Sequence, residues 1–218
     1  MNILTDLAYH SIACEAIGEI GGIPVRQTTK NALEVSLKNV LLKKPLNKIT
    51  INDITEDCGI SRMTFYYHFK DIYDLVEWTC VEDATRALKG KKTYDTWQEG
   101  FLNIFRAVQE NKPFIMNVYH VVSRERIEQY LYPLIHGLLM GVVEEKSADM
   151  VVNEEDKQFI ANFYEYAFVG VMLEWIGNKM KEEPAVIVER TSRLLKGNIV
   201  RALDAVRLDR SLHSDRDD

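Results

Sequence analysis

Residues 49–69 read ITINDITEDCGISRMTFYYHF, and the way this stretch divides at Gly59 decides the fold. Thr50 stands three positions before Asp53, a capping-box variant in which the threonine hydroxyl faces an orphan helix amide and the carboxylate sits at the third helical position. Ile51, Ile54 and Cys58 then share one apolar face, so the spacing predicts a helix of about eight residues. Gly59 stops it, because a left-handed residue there lets the chain turn sharply. Ile60 alone intervenes before Ser61, which can cap another short helix from Arg62 to about Phe69. Phe65 and Phe69, at i and i+4, point into one core with Ile54 and Ile60. Two short helices about a glycine turn are a helix-turn-helix, whose second helix enters the major groove. Its outer face offers Ser61, Arg62, Met63, Thr64, Tyr66, Tyr67, His68 and Lys70, a mixture of hydroxyl, cationic and aromatic groups suited to phosphates and base edges.

Working outward, Leu33, Leu37, Val40 and Leu41 place a preceding helix from Thr28 to the Lys43-Lys44-Pro45 stop. Asp71 and Asp74 start a following one, carried by Ile72, Leu75, Val76, Cys80 and Ala84 to about Leu88. Gly90-Lys91-Lys92 marks an internal boundary. Beyond it the period stays helical: Trp97 to Val108, Pro113 to Ser123, then Arg124 to Glu145, which Pro133 is expected to bend or divide. Residues 159–176, FIANFYEYAFVGVMLEWI, hold only Asn162, Glu165 and Glu174 as clearly polar positions, and the two glutamates fall on opposite faces. Such a helix needs company on more than one side. Ile187, Leu194, Leu195, Ile199, Ala202, Leu203 and Val206 predict one last amphipathic helix, and residues of about 155–206 from two chains would make a four-helix homodimer interface.

Composition agrees with an all-α chain. At 218 residues, with 46% hydrophobic and 28% charged positions, the chain has a core to bury, and 11 Gly and 5 Pro are too few for a many-turned β-sandwich. Three cysteines with no CxxC pair point to a reducing cytoplasm and to no zinc site. No membrane span or signal peptide is read. The net charge of −6 argues, taken whole, against nucleic acid. Residues 26–70, however, hold eight basic and four acidic side chains, a net +4 that leaves −10 for the remainder. The domain reading is therefore an N-terminal extension (1–25), a three-helix DNA-binding domain (26–72), a larger helical effector-binding and dimerisation domain (73–208) and a polar tail (209–218). For the extension two readings stand: an extra helix from Leu4 to Ile17, or a stretch upstream of a GUG start at Val25, since Gly21-Gly22-Ile23-Pro24 is encodable as a ribosome-binding sequence.

Ile49 to Ile54 and Gly59 to Phe69 resemble the tetracycline-repressor (TetR) family of bacterial regulators, over about 45 residues from the first helix to the start of the fourth. The C-terminal two-thirds is similar to that family in its all-helical layout and length, and its arrangement resembles the subgroup that includes the dihydroxyacetone-kinase operon activator. The resemblance implies a cytoplasmic, ligand-responsive dimeric repressor on a palindromic operator. It implies phosphate contacts from Thr50 and Ser61, base contacts from Arg62, Met63, Thr64 and Tyr66, and backbone contacts from Tyr67, His68 and Lys70. Met63 stands where the family usually has a small residue, and Ile72 where it usually has a phosphate-binding lysine.

Two other classes compete with this reading. No GxGxxG, Walker loop, HExxH or GxSxG is present, so neither an enzyme nor a cofactor or metal is expected, and His120 and His136 read as surface or core histidines. A coregulator on the same fold, binding a partner protein in activator fashion, is the alternative to a small-molecule effector. For the latter, Trp97, Phe101, Phe105, Phe114, Tyr119, Tyr164 and Phe168 are pocket candidates, although aromatics at helical spacing are more often core.

Overall fold

A computed structural model describes residues 25–89, 93–195 and 197–209. The readings made for residues 1–24, for the 90–92 boundary and for residues 210–218 lie outside them. The described residues are helical without a strand: α1 Val25–Leu41, α2 Ile51–Cys58, α3 Arg62–His68, α4 Ile72–Leu88, α5 Trp97–Glu110, α6 Lys112–Val121, α7 Arg124–Lys146, α8 Glu154–Gly177, α9 Pro184–Leu195 and α10 Asn198–Val206, with a 3-10 turn at Leu46–Lys48.

The amino-terminal unit closes around Leu33 and Leu37 of α1, Ile54 of α2, Phe65 of α3 and Leu75 of α4, all fully buried. Each such side chain withdrawn from water contributes about 1.5–3 kcal/mol. Ser36 Oγ, also buried, donates to the Ile54 carbonyl at 2.7 Å and pins α1 to α2. α4 leaves this cluster and packs on both α5 and α7, so it belongs to the two units at once.

An ion cluster reinforces that junction. Lys38 Nζ lies 2.8 Å from Glu34 Oε1 and 2.8 Å from Asp83 Oδ2, while Arg86 Nη2 lies 2.6 Å from Glu34 Oε1 and 2.6 Å from Asp83 Oδ1. Glu34 is buried and its Oε2 has no hydrogen-bond partner. Two carboxylates and two cations thus join α1 to α4, and removing one member would strand its neighbours in a poorly solvated place.

Two sequence expectations give way here. Pro133 neither ends nor divides α7, which runs unbroken through it. The one helical hydrogen bond that proline forgoes is outweighed by Ile135, Leu138, Leu139, Val142 and Val143, all buried in the following turns. The last helix is two helices, since Gly197 takes φ 76° and ψ −6° and separates α9 from α10. At the end of the described residues Leu208 N donates to Val151 O at 2.8 Å, and Arg207 pairs with Asp209, the one described residue of the expected tail.

α7 and α8 form the most extensive helix pair. Between them His136 Nδ1 meets Glu165 Oε2 at 2.8 Å, with Glu165 buried. The hydrogen bond to Glu165, first, raises the His136 pKa above 6.5 against the opposing effect of burial, with Gln158 and Asn162 adding weaker support. A group whose folded value is raised stabilises fully below its unfolded value and loses that contribution as pH rises through the folded one. The melting temperature should therefore fall as pH rises from about 6 to about 8, in a window set by a histidine, and His136→Gln should flatten the decline. Equal slopes in the two proteins would exclude the pair as the cause.

Candidate nucleic-acid interface and effector cavity

The turn between α2 and α3 is built as its residues require. Thr50 N and Thr50 Oγ1 both donate to Asp53 Oδ2 at 2.7 Å, and Asp53 N donates back to Thr50 Oγ1 at 3.3 Å, a complete capping box. Lys44 Nζ reaches the same carboxylate oxygen at 2.6 Å. Lys44 first, and Thr50 next, hold the Asp53 carboxyl down at about 2. Gly59 adopts φ 67° and ψ 23°, Ile60 N returns to Thr55 O at 3.0 Å, and Ser61 Oγ accepts from Thr64 N at 3.1 Å. Phe65 and Phe69 are buried as anchors, their rings 5.9 Å apart.

Everything expected to face outward on α3 does so except for partial cover at Thr64 and His68. Met63 is 83% exposed, with Tyr66 and Tyr67 beside it on the surface. Large apolar and aromatic side chains displayed on a seven-residue helix do nothing for its own core. The cations divide into two sets. Lys38, Lys43 and Lys44 pair with acidic residues, whereas among the described residues no ion pair engages Lys48, Arg62 or Lys70, all three exposed. Lys48, Arg62 and Lys70 thus place positive charge just before α2 and at the two ends of α3. Thr50 is less available than Ser61, because its hydroxyl is closed on Asp53 and a phosphate there would meet that carboxylate.

A second feature lies beneath α4. A cavity of about 60 Å³ is walled by Cys80, Asp83 and Ala84 of α4, by α5 and α6, by Ile127, Tyr130 and Leu131 of α7, and by Met172 and Ile176 of α8. Of the aromatic residues expected at a pocket, Tyr119 alone lines it. The others are core: Phe168 stacks edgewise on Trp97 and Phe101, Phe101 on Phe105, and Phe105 lies 4.9 Å from Trp175. Rings that offer each other faces and edges leave no space between them. Phe114 and Tyr164 are likewise buried outside the cavity wall. The space opens instead where small side chains, Cys80 and Ala84 on α4 and Ala107 on α5, face one another. Burial pushes the Cys80 thiol up to about 12, so it is a wall and not a nucleophile.

Among the described residues no cluster of side chains is arranged to hold a metal, and no helix is long and apolar enough to cross a membrane. Residues 38–78 match the family model for bacterial regulatory proteins of the tetR family, and residues 95–197 match that for a transcriptional regulator C-terminal region. The HTH-type dhaKLM operon transcriptional activator DhaS of Lactococcus lactis is 24% identical over 164 residues, covering 73% of this chain and 87% of its own. The solved structure of a dihydroxyacetone kinase operon activator DhaS superposes with a TM-score of 0.63 at 18% identity, over 83% of this chain and 98% of that one. A TetR transcriptional regulator from Streptococcus agalactiae gives 0.53 at 17% identity, over 78% and 94%. With one family model matching the helix-turn-helix and the other most of the remaining helices, this chain belongs to the TetR family of transcriptional regulators.

Proposed function

We propose that the protein is a ligand-responsive dimeric repressor whose two α3 helices read a palindromic operator. Ser61 and Thr50 would meet phosphate, Arg62, Met63, Thr64 and Tyr66 base edges, and Tyr67, His68 and Lys70 the flanking backbone. The observation that carries this reading is the surface of α3, where a bare cation, an exposed methionine and two exposed tyrosines stand on a helix whose phenylalanines are fully committed to the core. Pairing of two chains would bring α8 and α10 together with their copies. α8 leaves Phe159, Phe163 and Tyr166 on its surface at 72%, 62% and 60% exposure, one stripe at i, i+4 and i+7.

Control would pass through α4. Asp83 belongs both to the cavity wall and to the ion cluster that holds Lys38 of α1. An occupant that moves α4 would change the spacing of the two α3 helices, and its different affinity for the two spacings would set DNA occupancy. A second reading, activation through a bound partner protein, is favoured by the likeness to DhaS, an operon transcriptional activator. Genome-wide capture of DNA by the purified full chain separates them. We expect palindromic sites to be enriched and then released by the small-molecule fraction of cell extract. Release or recruitment that needs the macromolecular fraction would replace the first reading by the second.

A further inference from the structure

We propose that Arg126 is a positioning residue for DNA reading: seated over the ring of Tyr73, its guanidinium sets the direction in which α4 leaves α7, and with it the separation of the two α3 helices in the dimer. This rests on the dimeric reading proposed above and names a side chain that controls its spacing.

The contact joins the two units at the end of α4 nearest α3. Tyr73 is the second residue of α4, and the turn that leads to it is closed by its neighbours: Asp74 N donates to Asp71 Oδ1 at 2.9 Å, and Lys70 N donates to Asp74 Oδ2 at 2.8 Å. Arg126 is the third residue of α7, and its own N–H donates to the capping Ser123 Oγ at 3.4 Å. The guanidinium carbon lies 5.3 Å from the centre of the Tyr73 ring. A ring face attracts a cation within about 6 Å. Lys30 of α1 lies over Trp78 of α4 at 5.2 Å, but that contact is internal to the amino-terminal unit and leaves its angle to the body open.

The charge of Arg126 also reaches the groups on either side of the ring. Glu77, one turn along α4, is half-buried; burial first, and Asp74 next, raise its carboxyl above the ordinary value, while Arg126 and Lys70 act against them. Burial pushes the Tyr130 phenol, one turn along α7, up to about 12, again against Arg126. One cation carried by α7 thus meets two tyrosines and a carboxylate at the root of the DNA-reading unit.

The same face of α4 runs on into the cavity wall. Tyr73, Glu77, Cys80 and Ala84 fall at i, i+4, i+7 and i+11, and on α7 the cavity-lining Ile127, Tyr130 and Leu131 follow Arg126. An occupant that parts α4 from α7 at Cys80 and Ala84 therefore works against the contact between Arg126 and Tyr73. The lever is long, since α4 has 17 residues. At 1.5 Å per residue it spans about 25 Å, so a tilt of about 8° at its far end carries Tyr73 through about 3.4 Å, the rise of one base pair.

The test measures the affinity of the full chain for a captured operator with its half-sites at their natural separation and at one base pair closer or further apart. The parent should prefer the natural separation by about tenfold or more. Arg126→Met, which keeps most of the stem, should weaken the natural operator about three- to tenfold and narrow its advantage over the other two, with the salt slope unchanged. Tyr73→Leu should do the same, and the double variant should lose no more than either single change. Tyr73→Phe keeps a ring and should match the parent. A full spacing preference in Arg126→Met, additive losses in the double variant, or a salt slope lowered by about one, the mark of a phosphate contact, overturns the assignment. Nitroxide labels on non-natural residues at exposed Asn47 and Gln129, in labelled chains diluted with unlabelled protein, score it without DNA. Their distance distribution should broaden in Arg126→Met and Tyr73→Leu while the circular dichroism stays that of the parent, and an unmoved distribution overturns the assignment as well. If Arg126→Met does not fold, Tyr73→Leu carries both measurements. Broadened label distances with no palindromic binding by the parent uphold the positioning role and remove the dimeric repressor. A strong spacing preference kept by every variant does the reverse.

Discussion

Phe163→Glu is expected to leave the chain folded and to turn a dimer into a monomer at micromolar concentration. In a single chain Phe163 is 62% exposed, so the substitution removes little from the core and its cost falls on pairing. Across a two-fold axis the change occurs twice. Losing two buried phenylalanines costs about 3–6 kcal/mol, and placing two carboxylates in the same apolar seam adds to it. A dimer dissociation constant raised at least about a hundredfold follows at about 1.4 kcal/mol per tenfold. Sedimentation velocity reads the mass and circular dichroism the fold. DNA binding should fall with dimerisation, because each monomer then holds a single half-site. A Phe163→Glu protein that stays dimeric at the same concentration would move the interface off the α8 stripe, with exposed Leu194 of α9 as the next surface to mutate.

What could be read in advance follows from how local each signal is. The α2–α3 turn was fully legible because a cap, a glycine and an i, i+4 aromatic pair are all encoded within twenty-one residues, and the structure places Thr50, Gly59, Ser61, Phe65 and Phe69 as that reading requires. The break between α9 and α10 is not legible in periodicity, because the apolar period from Ile187 to Val206 continues in phase across Gly197. Of the two outcomes expected at Pro133, a bend or a division, the division does not occur, since its cost is one hydrogen bond and the packing that offsets it lies on α8, distant in sequence. The cavity was the least legible feature. A void is made by what neighbouring side chains fail to fill, and Cys80, Ala84 and Ala107 carry no pattern that separates them from ordinary helix contacts. The aromatic residues that did carry a pattern are the ones that fill space best.

Arg62→Ala should weaken binding to captured operator sequences by roughly tenfold to a hundredfold or more at fixed salt, the loss of about 1–3 kcal/mol expected of one arginine bonded to a guanine edge. The loss should be selective, with affinity for unrelated duplex DNA much less changed. Lys70→Ala is the contrasting arm, because a charge on the phosphate backbone carries no sequence information. It should weaken binding to all sequences alike and reduce the salt slope by about one. Neither side chain is buried or held in an ion pair among the described residues, so neither change should disturb the fold. Arg62→Ala with unchanged operator affinity removes Arg62 from base readout, and Lys70→Ala with an unchanged slope removes Lys70 from the phosphate set. The charge division sharpens the contrast. A body of net −10 outside residues 26–70 repels the duplex wherever the amino-terminal unit is not seated. Loose binding therefore gains little from electrostatics, and the few cations not already paired, Arg62 and Lys70 among them, supply a larger share of the whole than they would in a basic protein.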